Sequence, residues 1–229
     1  MNYLTTGGDS LKSTKFFFIV LFSIFFSLGL FLFHESILKT AGEYLAPNGS
    51  EEAEVLIIEG TGVVKNGAVN QGIRFLSHRK AKRLVVVLHQ YIKDDQPFAL
   101  QDRYTQLVLS ESERMGLETG KFQVLVAPIH GHPITLNEAK FVVERISREG
   151  VKSAILVSEG FHTRRSWGVY SQEGAHLGLR IVALPYFTEY RSDNWWQHVK
   201  GVHDFFEESI KLVYYILRGY VSIKYLYCS

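Results

Sequence analysis

Five short apolar runs alternate with segments of helical periodicity over residues 53–229. The runs are continuous and rich in β-branched side chains, as expected for strands that are covered on both faces. They are VLIIE (55–59), LVVVLH (84–89), QVLVA (123–127), AILVS (154–158) and RIVAL (180–184). The spacing between them predicts helices near 66–78, 98–115, 135–149 and 162–176, and another from about 194 onward. This alternation predicts an α/β fold with a doubly wound, mainly parallel sheet of about five strands.

The N-terminal part of the chain has a different pattern. Residues 16–33, FFFIVLFSIFFSLGLFLF, are 18 consecutive uncharged residues, which is about the length that a helix needs to cross a bilayer. A cleaved signal peptide is the alternative, but this run is longer than a typical signal core and no A-x-A site follows it. The pattern therefore predicts a tail (1–15), a transmembrane anchor (16–33), a linker (34–52) and an α/β domain (53–229).

Basic residues around the anchor indicate its orientation. Lys12 and Lys15 precede the apolar run, whereas Lys39 is the single basic residue within fifteen positions after it. The positive-inside rule then favours a cytoplasmic N-terminus. We expect a single-pass protein of the cytoplasmic (inner) membrane, with the α/β domain on the non-cytoplasmic side.

The C-terminal segment FFEESIKLVYYILRGYVSIKYLYC is also apolar, but charges interrupt it. Because of them, no uncharged stretch reaches 18 residues, and a second membrane crossing is not expected. The pattern instead predicts an amphipathic helix that packs on the domain or lies at the bilayer surface.

Composition excludes several classes of function. The chain has 25 basic and 23 acidic residues, a net charge of +2, so it lacks the strong positive field expected of a nucleic-acid-binding protein. Cys228 is the sole cysteine, which excludes an internal disulfide framework and a multi-cysteine metal site.

Polar residues gather where the predicted strands end. In a doubly wound sheet, ligands bind at the carboxyl ends of the strands, near the point where the strand order reverses. The candidate ligand-binding residues at these ends are Gly60, Thr61 and Gly62 after the first strand, His89 after the second, His130 and Thr135 after the third, and Ser158 and Glu159 after the fourth.

His162 and Arg165 are the first candidates for catalysis. They are three residues apart at a predicted helix start, so they share one face of its first turn. With the exposed backbone N–H groups and the positive end of the helix dipole, they could bind a phosphate or carboxylate. In the alternative interpretation, His162 caps the turn, and Arg164 and Arg165 lie on a solvated face.

Glu138 is the third catalytic candidate. Thr135 and Glu138 have the spacing of a capping box, in which each side chain satisfies a backbone donor at the helix start. The alternative is that Glu138 acts as an acid or base at the same edge of the sheet.

Other chemistry is disfavoured by the residues themselves. Lys65 occupies the third glycine position of G-x-G-x-x-G, which argues against a dinucleotide site. Leu156 occupies the first glycine position of the G-x-S-x-G elbow, which argues against Ser158 as a nucleophile. His89, His130, His132 and His162 lack the carboxylate spacing of a metal site, and no metal is predicted.

The order of these motifs resembles the SanA/ElyC/YdcF family of bacterial envelope proteins, a domain of unknown function. The resemblance spans most of residues 53–219 and is carried by ITLNEAKFV, VKSAILVSEGFHTRRS, GLRIVALP, DNWW and ESIKLVYYILRG. The family's T-x-x-E-A element falls on Thr135, Glu138 and Ala139, and its (Tyr/Phe)-His-x-x-Arg element falls on Phe161, His162 and Arg165. The first two strand ends depart from the family pattern, and Arg74 is the candidate for the family's early arginine.

The resemblance implies a Rossmann-like domain with a polar pocket, an N-terminal anchor and a link to cell-envelope or peptidoglycan construction. We expect an enzyme or ligand-binding domain that acts on an anionic, lipid-linked or nucleotide-like ligand, with His162, Arg165 and Glu138 at its centre. A non-catalytic scaffold or regulator of the wall machinery is one alternative, and a nucleotide or S-adenosylmethionine binder is another. No particular cofactor is implied.

Overall fold

The computed structural model describes residues 7–61, 81–91 and 119–227, together with the isolated positions 72, 76, 78, 106, 110, 113 and 114. It divides into two compact units, residues 1–41 and 42–229. Apart from the isolated positions, the predicted helices at 66–78 and 98–115 lie outside the described residues, as do the candidate site residues Gly62 and Arg74.

The N-terminal unit is helical. Helix α1 covers Gly7–Leu45 and so extends past residue 33 into the segment predicted as linker. Many of its apolar side chains are exposed, Phe16 and Phe31 among them. Among the described helices, none has by itself the length and apolar character of a membrane span. The segments Lys15–Gly29 and Phe31–Leu45, bent by 56°, meet these criteria only as a pair.

The second unit contains a five-stranded parallel sheet, which confirms the predicted α/β class. Its strands are β1 (Val55–Thr61), β2 (Arg83–Tyr91), β3 (Phe122–Ile129), β4 (Ser153–Glu159) and β5 (Arg180–Tyr186). They are arranged in the order β3-β2-β1-β4-β5, and every neighbouring pair is parallel. The order reverses between β1 and β4, where a doubly wound sheet binds its ligands.

Besides α1, the structure describes four α-helices, the first two of which connect strands of the sheet. They are α2 (Ile134–Arg148), α3 (His162–Ala175), α4 (Val199–Leu217) and the short α5 (Lys224–Tyr227). Helices α2 and α3 agree with their predicted ranges to within one residue. Helix α4 begins later than predicted, because a 3₁₀ turn at Trp195–Gln197 precedes it.

The core lies around the central strand β1 and its neighbour β4. Residues 55–58 of β1 and 154–157 of β4 are all buried, because both faces of the sheet are covered. This burial explains why their sequences are continuous apolar runs rather than alternating ones. An aromatic cluster around Phe161 then packs the start of α3 against Trp195 and Phe205, which brings α4 alongside the carboxyl edge of the sheet.

Candidate functional site

The candidate site begins at the two strand ends where the sheet order reverses. Glu59 of β1 and Ser158 of β4 are both buried there. The Ser158 hydroxyl donates a hydrogen bond of 2.5 Å to Glu59 Oε2. Since the two strands are neighbours in the sheet, the ends of β1 and β4 present one polar surface to the helix that follows β4.

Helix α3 adds three side chains from its first two turns to this surface. His162, Arg165 and Ser166 lie on one face, as their i, i+3 and i+4 spacing requires. His162 Nε2 lies 3.0 Å from Glu59 Oε1, and the Ser166 hydroxyl donates to the same oxygen at 2.5 Å. Glu59 is therefore fully engaged by residues of α3 and β4.

Glu208 of α4 closes the other side of the network. It accepts hydrogen bonds from Arg165 Nε at 2.9 Å and Nη2 at 3.2 Å, and from Lys211 Nζ at 3.0 Å. Arg165 Nη1 donates to Thr135 Oγ1 at 2.9 Å, and its guanidinium lies 4.7 Å from the centre of the Tyr215 ring. Arg165 is thus a buried cation with its donors directed at a carboxylate and a hydroxyl.

His162 lies between the two carboxylates. Its Nδ1 is 3.2 Å from Glu208 Oε2, and Arg165 Nη2 approaches the same nitrogen at 2.6 Å. Burial alone would lower the pKa of His162, and Arg165 lowers it too, but Glu59 and Glu208 outweigh them and raise it to about 9. We therefore assign the imidazolium form at neutral pH, in which one ring N–H faces each carboxylate. The Arg165 contact can be a hydrogen bond only when Nδ1 is deprotonated.

The pKa values of the two carboxylates, Glu59 and Glu208, are lowered, whereas that of His162 is raised. Burial would raise the pKa of both Glu59 and Glu208, but His162 lowers it, with further hydrogen bonds in each case. Arg165 contributes to the effect on Glu208. Both carboxylates are therefore ionised, and the network consists of alternating charges.

Glu138 of α2 occupies a separate, deeper position. Its Oε1 accepts the Gly60 backbone N–H at 2.9 Å and the Tyr170 hydroxyl at 2.7 Å, and its Oε2 contacts His89 Nε2. Burial raises the pKa of Glu138, while His89 opposes the rise. A side chain at position 60 would collide with the His89 ring, since a Cβ there would lie 2.6 Å from His89 Nε2. The glycine at position 60 therefore leaves room for the His89 ring.

These contacts correct the predicted capping box. Helix α2 has Pro133 at its N-cap and no side-chain cap. Thr135 and Glu138 instead bind Arg165 and the Gly60 N–H, both of which come from outside the helix. Glu138 holds its partners in position, because its oxygens are occupied by groups of the protein.

The solvated-face interpretation of the two arginines is also wrong. Both guanidinium groups are buried. Arg164 donates to the carbonyl oxygens of Tyr44 and Leu226, so it ties α3 to segments at both ends of the second unit.

Two cavities meet at the network. One has a volume of about 680 Å³ and the other about 280 Å³, and Glu59, His162, Arg165 and Lys211 line both. The larger cavity is also bordered by Gly60, His89, His132, Thr135, Glu138 and Arg218. The smaller one is bordered by Ser158, Glu159, Lys200 and Glu208. The four charged side chains that line both cavities therefore separate the larger cavity from the smaller one.

Most of the predicted site residues thus lie together. Gly60, His89, Thr135 and Glu138 lie on the larger cavity, Ser158 and Glu159 on the smaller one, and His162 and Arg165 on both. His130 is exposed and borders neither cavity. Thr61 is the last residue of β1, and its backbone pairs with Leu88.

The predicted histidines do not form a metal-binding group among the described residues. A different group among the described residues, His203, Asp204 and Glu207 of α4, has potential metal-ligand atoms within 4.8 Å of one another. Its histidine and its glutamate are exposed. In the second unit, His89 Nδ1 is buried and has no hydrogen-bond partner among the described residues.

The sequence interpretation missed five residues of the network: Glu59, Ser166, Tyr170, Glu208 and Lys211. Ser166 and Tyr170 carried a local signal, because they follow His162 by four and eight residues on the same helical face. Glu208 carried none, since only the fold brings it 46 residues back to His162.

No protein-family model matches the chain, and no curated protein sequence matches it.

Proposed function

We propose that this protein is a membrane-anchored protein of the bacterial envelope, of the SanA/ElyC/YdcF type, whose α/β domain binds and acts on an anionic, phosphate-bearing envelope precursor. The supporting observation is the lining of the larger cavity. Four side chains that are cationic at neutral pH border it: His162, Arg165, Lys211 and Arg218. The carboxylates on the same lining are Glu59 and Glu138, and burial raises the pKa of Glu138.

The size of the cavity agrees with a small-molecule ligand. Sites of this kind have volumes of about 300–1,000 Å³, and the larger cavity measures about 680 Å³. Phosphate oxygens are strong acceptors for guanidinium and ammonium donors. A phosphate group beside Lys211 and Arg218 would find donors whose side chains reach the cavity from α4 and the residue after it.

His162 has the properties of a proton donor in this proposal. It is protonated at neutral pH, it retains 25% side-chain exposure, and Glu59 and Glu208 fix the orientation of its ring. It would donate a proton or a hydrogen bond to the ligand, while Arg165 holds Glu208 and Thr135 in place. Glu138 would act as a positioning residue for Gly60 and His89 rather than as a base.

The membrane part of the proposal depends on residues 16–33. Their uncharged composition and the exposure of their aromatic side chains support an anchor, with the α/β domain on the non-cytoplasmic side. An anchored domain would meet lipid-linked precursors in the plane of the membrane.

A binding experiment on the full-length protein in detergent tests the ligand class. The probes are inorganic pyrophosphate and a polyprenyl phosphate, with binding measured by calorimetry and by the shift in thermal unfolding. Lys211→Ala and Arg218→Ala should each weaken binding about tenfold or more, because a hydrogen bond to a charged group is worth about 1.5–3 kcal/mol. Lys140→Ala, an exposed lysine outside the cavity lining, is the control.

The outcomes separate the candidate functions. If neither probe stabilises the protein, or if Lys140→Ala weakens binding as much as Lys211→Ala, the anion proposal is wrong. If the probes bind but are not converted, and His162→Gln leaves binding intact, the non-catalytic scaffold is favoured. That candidate is supported by the pairing of His162 and Arg165 with Glu59 and Glu208 inside the protein.

A further inference from the structure

Helix α4 carries an exposed apolar stripe in addition to its buried face. The α4 stripe consists of Val199, Phe206, Ile210, Val213 and Leu217, whose relative exposure ranges from 55% to 91%. Their spacing of 7, 4, 3 and 4 residues places them on one line along the helix. At 1.5 Å per residue, the stripe is about 27 Å long.

The stripe points away from the protein core. Gly201, Glu208, Leu212 and Tyr215 are the buried residues of α4. At 100° per residue they lie roughly opposite the stripe. A helix on the surface of a globular domain normally presents polar residues on the side that faces away from the core. Helix α4 instead exposes apolar residues on that side, which is typical of a surface that binds a partner or a membrane.

The border of the α4 stripe indicates the chemistry of that partner. Arg218 and Lys224 lie beyond its C-terminal end, and each guanidinium or ammonium group sits over a tyrosine ring, that of Tyr220 or Tyr225. No described carboxylate forms an ion pair with either residue. Ile223 and Tyr227 are also exposed in this region. Exposed apolar side chains bordered by tyrosines and unneutralised cations are typical of surfaces that bind anionic lipid headgroups.

The acidic residues on the flank of α4 are paired with lysines, so they would not repel anionic lipid headgroups. Asp204 pairs with Lys200, and Glu207 pairs with Lys211. The carboxylates beside the stripe are thus neutralised by lysines of the same helix, whereas the cations at its end remain available to anionic lipids.

We propose that the α4 stripe is a second membrane-contact surface, which lies in the interface of an anionic bilayer with Arg218 and Lys224 at the headgroups. Lys211, Tyr214 and Arg218 of the same segment border the larger cavity. Insofar as the proposed function holds, this arrangement opens the cavity at headgroup level, where the phosphate of a lipid-linked substrate lies.

Site-specific fluorescence on the full-length protein tests this surface. Cys228, the sole cysteine, is replaced by serine, and a polarity-sensitive fluorophore is attached at Ile210→Cys or at Leu177→Cys. Leu177 is a matched exposed apolar residue, in the turn between α3 and β5. The proteins are reconstituted in vesicles of phosphatidylethanolamine and phosphatidylglycerol, with or without bromine atoms on the acyl chains.

The label at position 210 should show blue-shifted emission and lose fluorescence in the brominated vesicles, whereas the label at 177 should change little. Equal behaviour at both positions would overturn the proposal. So would a blue shift at 210 without quenching, which would show that protein, either residues 16–33 or a second copy, covers the stripe. The vesicles contain no soluble phosphate ligand, so a failure here is distinct from a failure of the ligand-binding experiment.

Discussion

At the scale of single residues, the site depends on a histidine that is held between two buried carboxylates. Glu59 and Glu208 come from β1 and α4, and each faces one ring nitrogen of His162. Removing a proton from this imidazole leaves two buried negative charges with one cation fewer. The pKa of His162 is therefore a property of the whole cluster rather than of the residue alone.

This cluster predicts a dependence of stability on pH. The pKa of His162 is raised from 6.5 to about 9, so its stabilising contribution is complete below about pH 6.5 and is lost as the pH rises through 9. The wild-type protein should lose about 2 kcal/mol of unfolding free energy from this group between pH 7 and 9.5, since a tenfold change in proton affinity is worth about 1.4 kcal/mol. Urea unfolding followed by tryptophan fluorescence measures it.

His162→Gln is the matched variant for this measurement. It keeps a hydrogen-bonding side chain but cannot titrate, so its stability should be lower at pH 7 and nearly constant up to pH 9.5. Parallel pH curves for the two proteins would mean that the imidazolium form is not held by Glu59 and Glu208.

At the scale of elements, helix α4 is important because it supplies Glu208 and Lys211. Its position depends on close packing against the 3₁₀ turn before it. Trp195 and Phe205 stack with ring centres 3.9 Å apart, and Gly201 passes directly over the backbone of Trp195. Glycine at this position allows the helix to approach the turn closely enough to place Glu208 beside His162.

Gly201→Ala should therefore destabilise the domain even though alanine favours helices by about 1 kcal/mol. The added Cβ would lie 2.3 Å from the Trp195 carbonyl oxygen, a backbone atom, so the helix must shift. We expect a net loss of about 1–3 kcal/mol in unfolding free energy, typical of overpacking, measured by urea unfolding.

Gly120→Ala is the control for that change. A Cβ at position 120 would meet open space. The unfolding free energy of the Gly120→Ala protein should therefore stay within about 1 kcal/mol of the wild-type value. Equal stability of Gly201→Ala and Gly120→Ala would contradict the close approach of α4 to Trp195.

At the scale of the whole molecule, the N-terminal apolar segment and the α/β domain differ in composition and in the burial of their apolar residues. Residues 16–33 are uncharged, whereas residues 42–229 form a compact unit with its own core. One chain therefore combines an uncharged apolar segment with a domain that has its own core.

The proposed orientation predicts the outcome of a fusion experiment. Alkaline phosphatase, which is active only outside the cytoplasm, is fused after Ser229 and expressed in a bacterial host. The fusion should be active and should remain with the membrane fraction, because the proposed orientation places Lys12 and Lys15 on the cytoplasmic side. Replacing Leu21 and Phe25 with lysine should abolish both properties. If the fusion is inactive but stays membrane-bound, the α/β domain lies on the cytoplasmic side and the proposed orientation is wrong.

Part of the site was predictable because its signals are local. The strand ends at Gly60, His89 and Ser158 follow from where continuous apolar runs stop. The shared face of His162 and Arg165 follows from the helical period of 3.6 residues. Thr135 and Glu138 show where local reasoning fails. Their spacing suits a capping box, but in the fold stronger partners, Arg165 and the Gly60 N–H, occupy their side chains.

The α/β class, the parallel sheet, the positions of its strands and the edge at which polar residues gather could all be predicted from the sequence, because the pattern of apolar residues along each element reflects its burial. The contact of Glu208 with His162 and the exposure of one face of α4 among the described residues become visible only in the folded protein. These depend on which surfaces meet after the chain has folded, and hydrogen bonds between residues as far apart as Glu59 and Ser166 leave no periodic trace in the sequence.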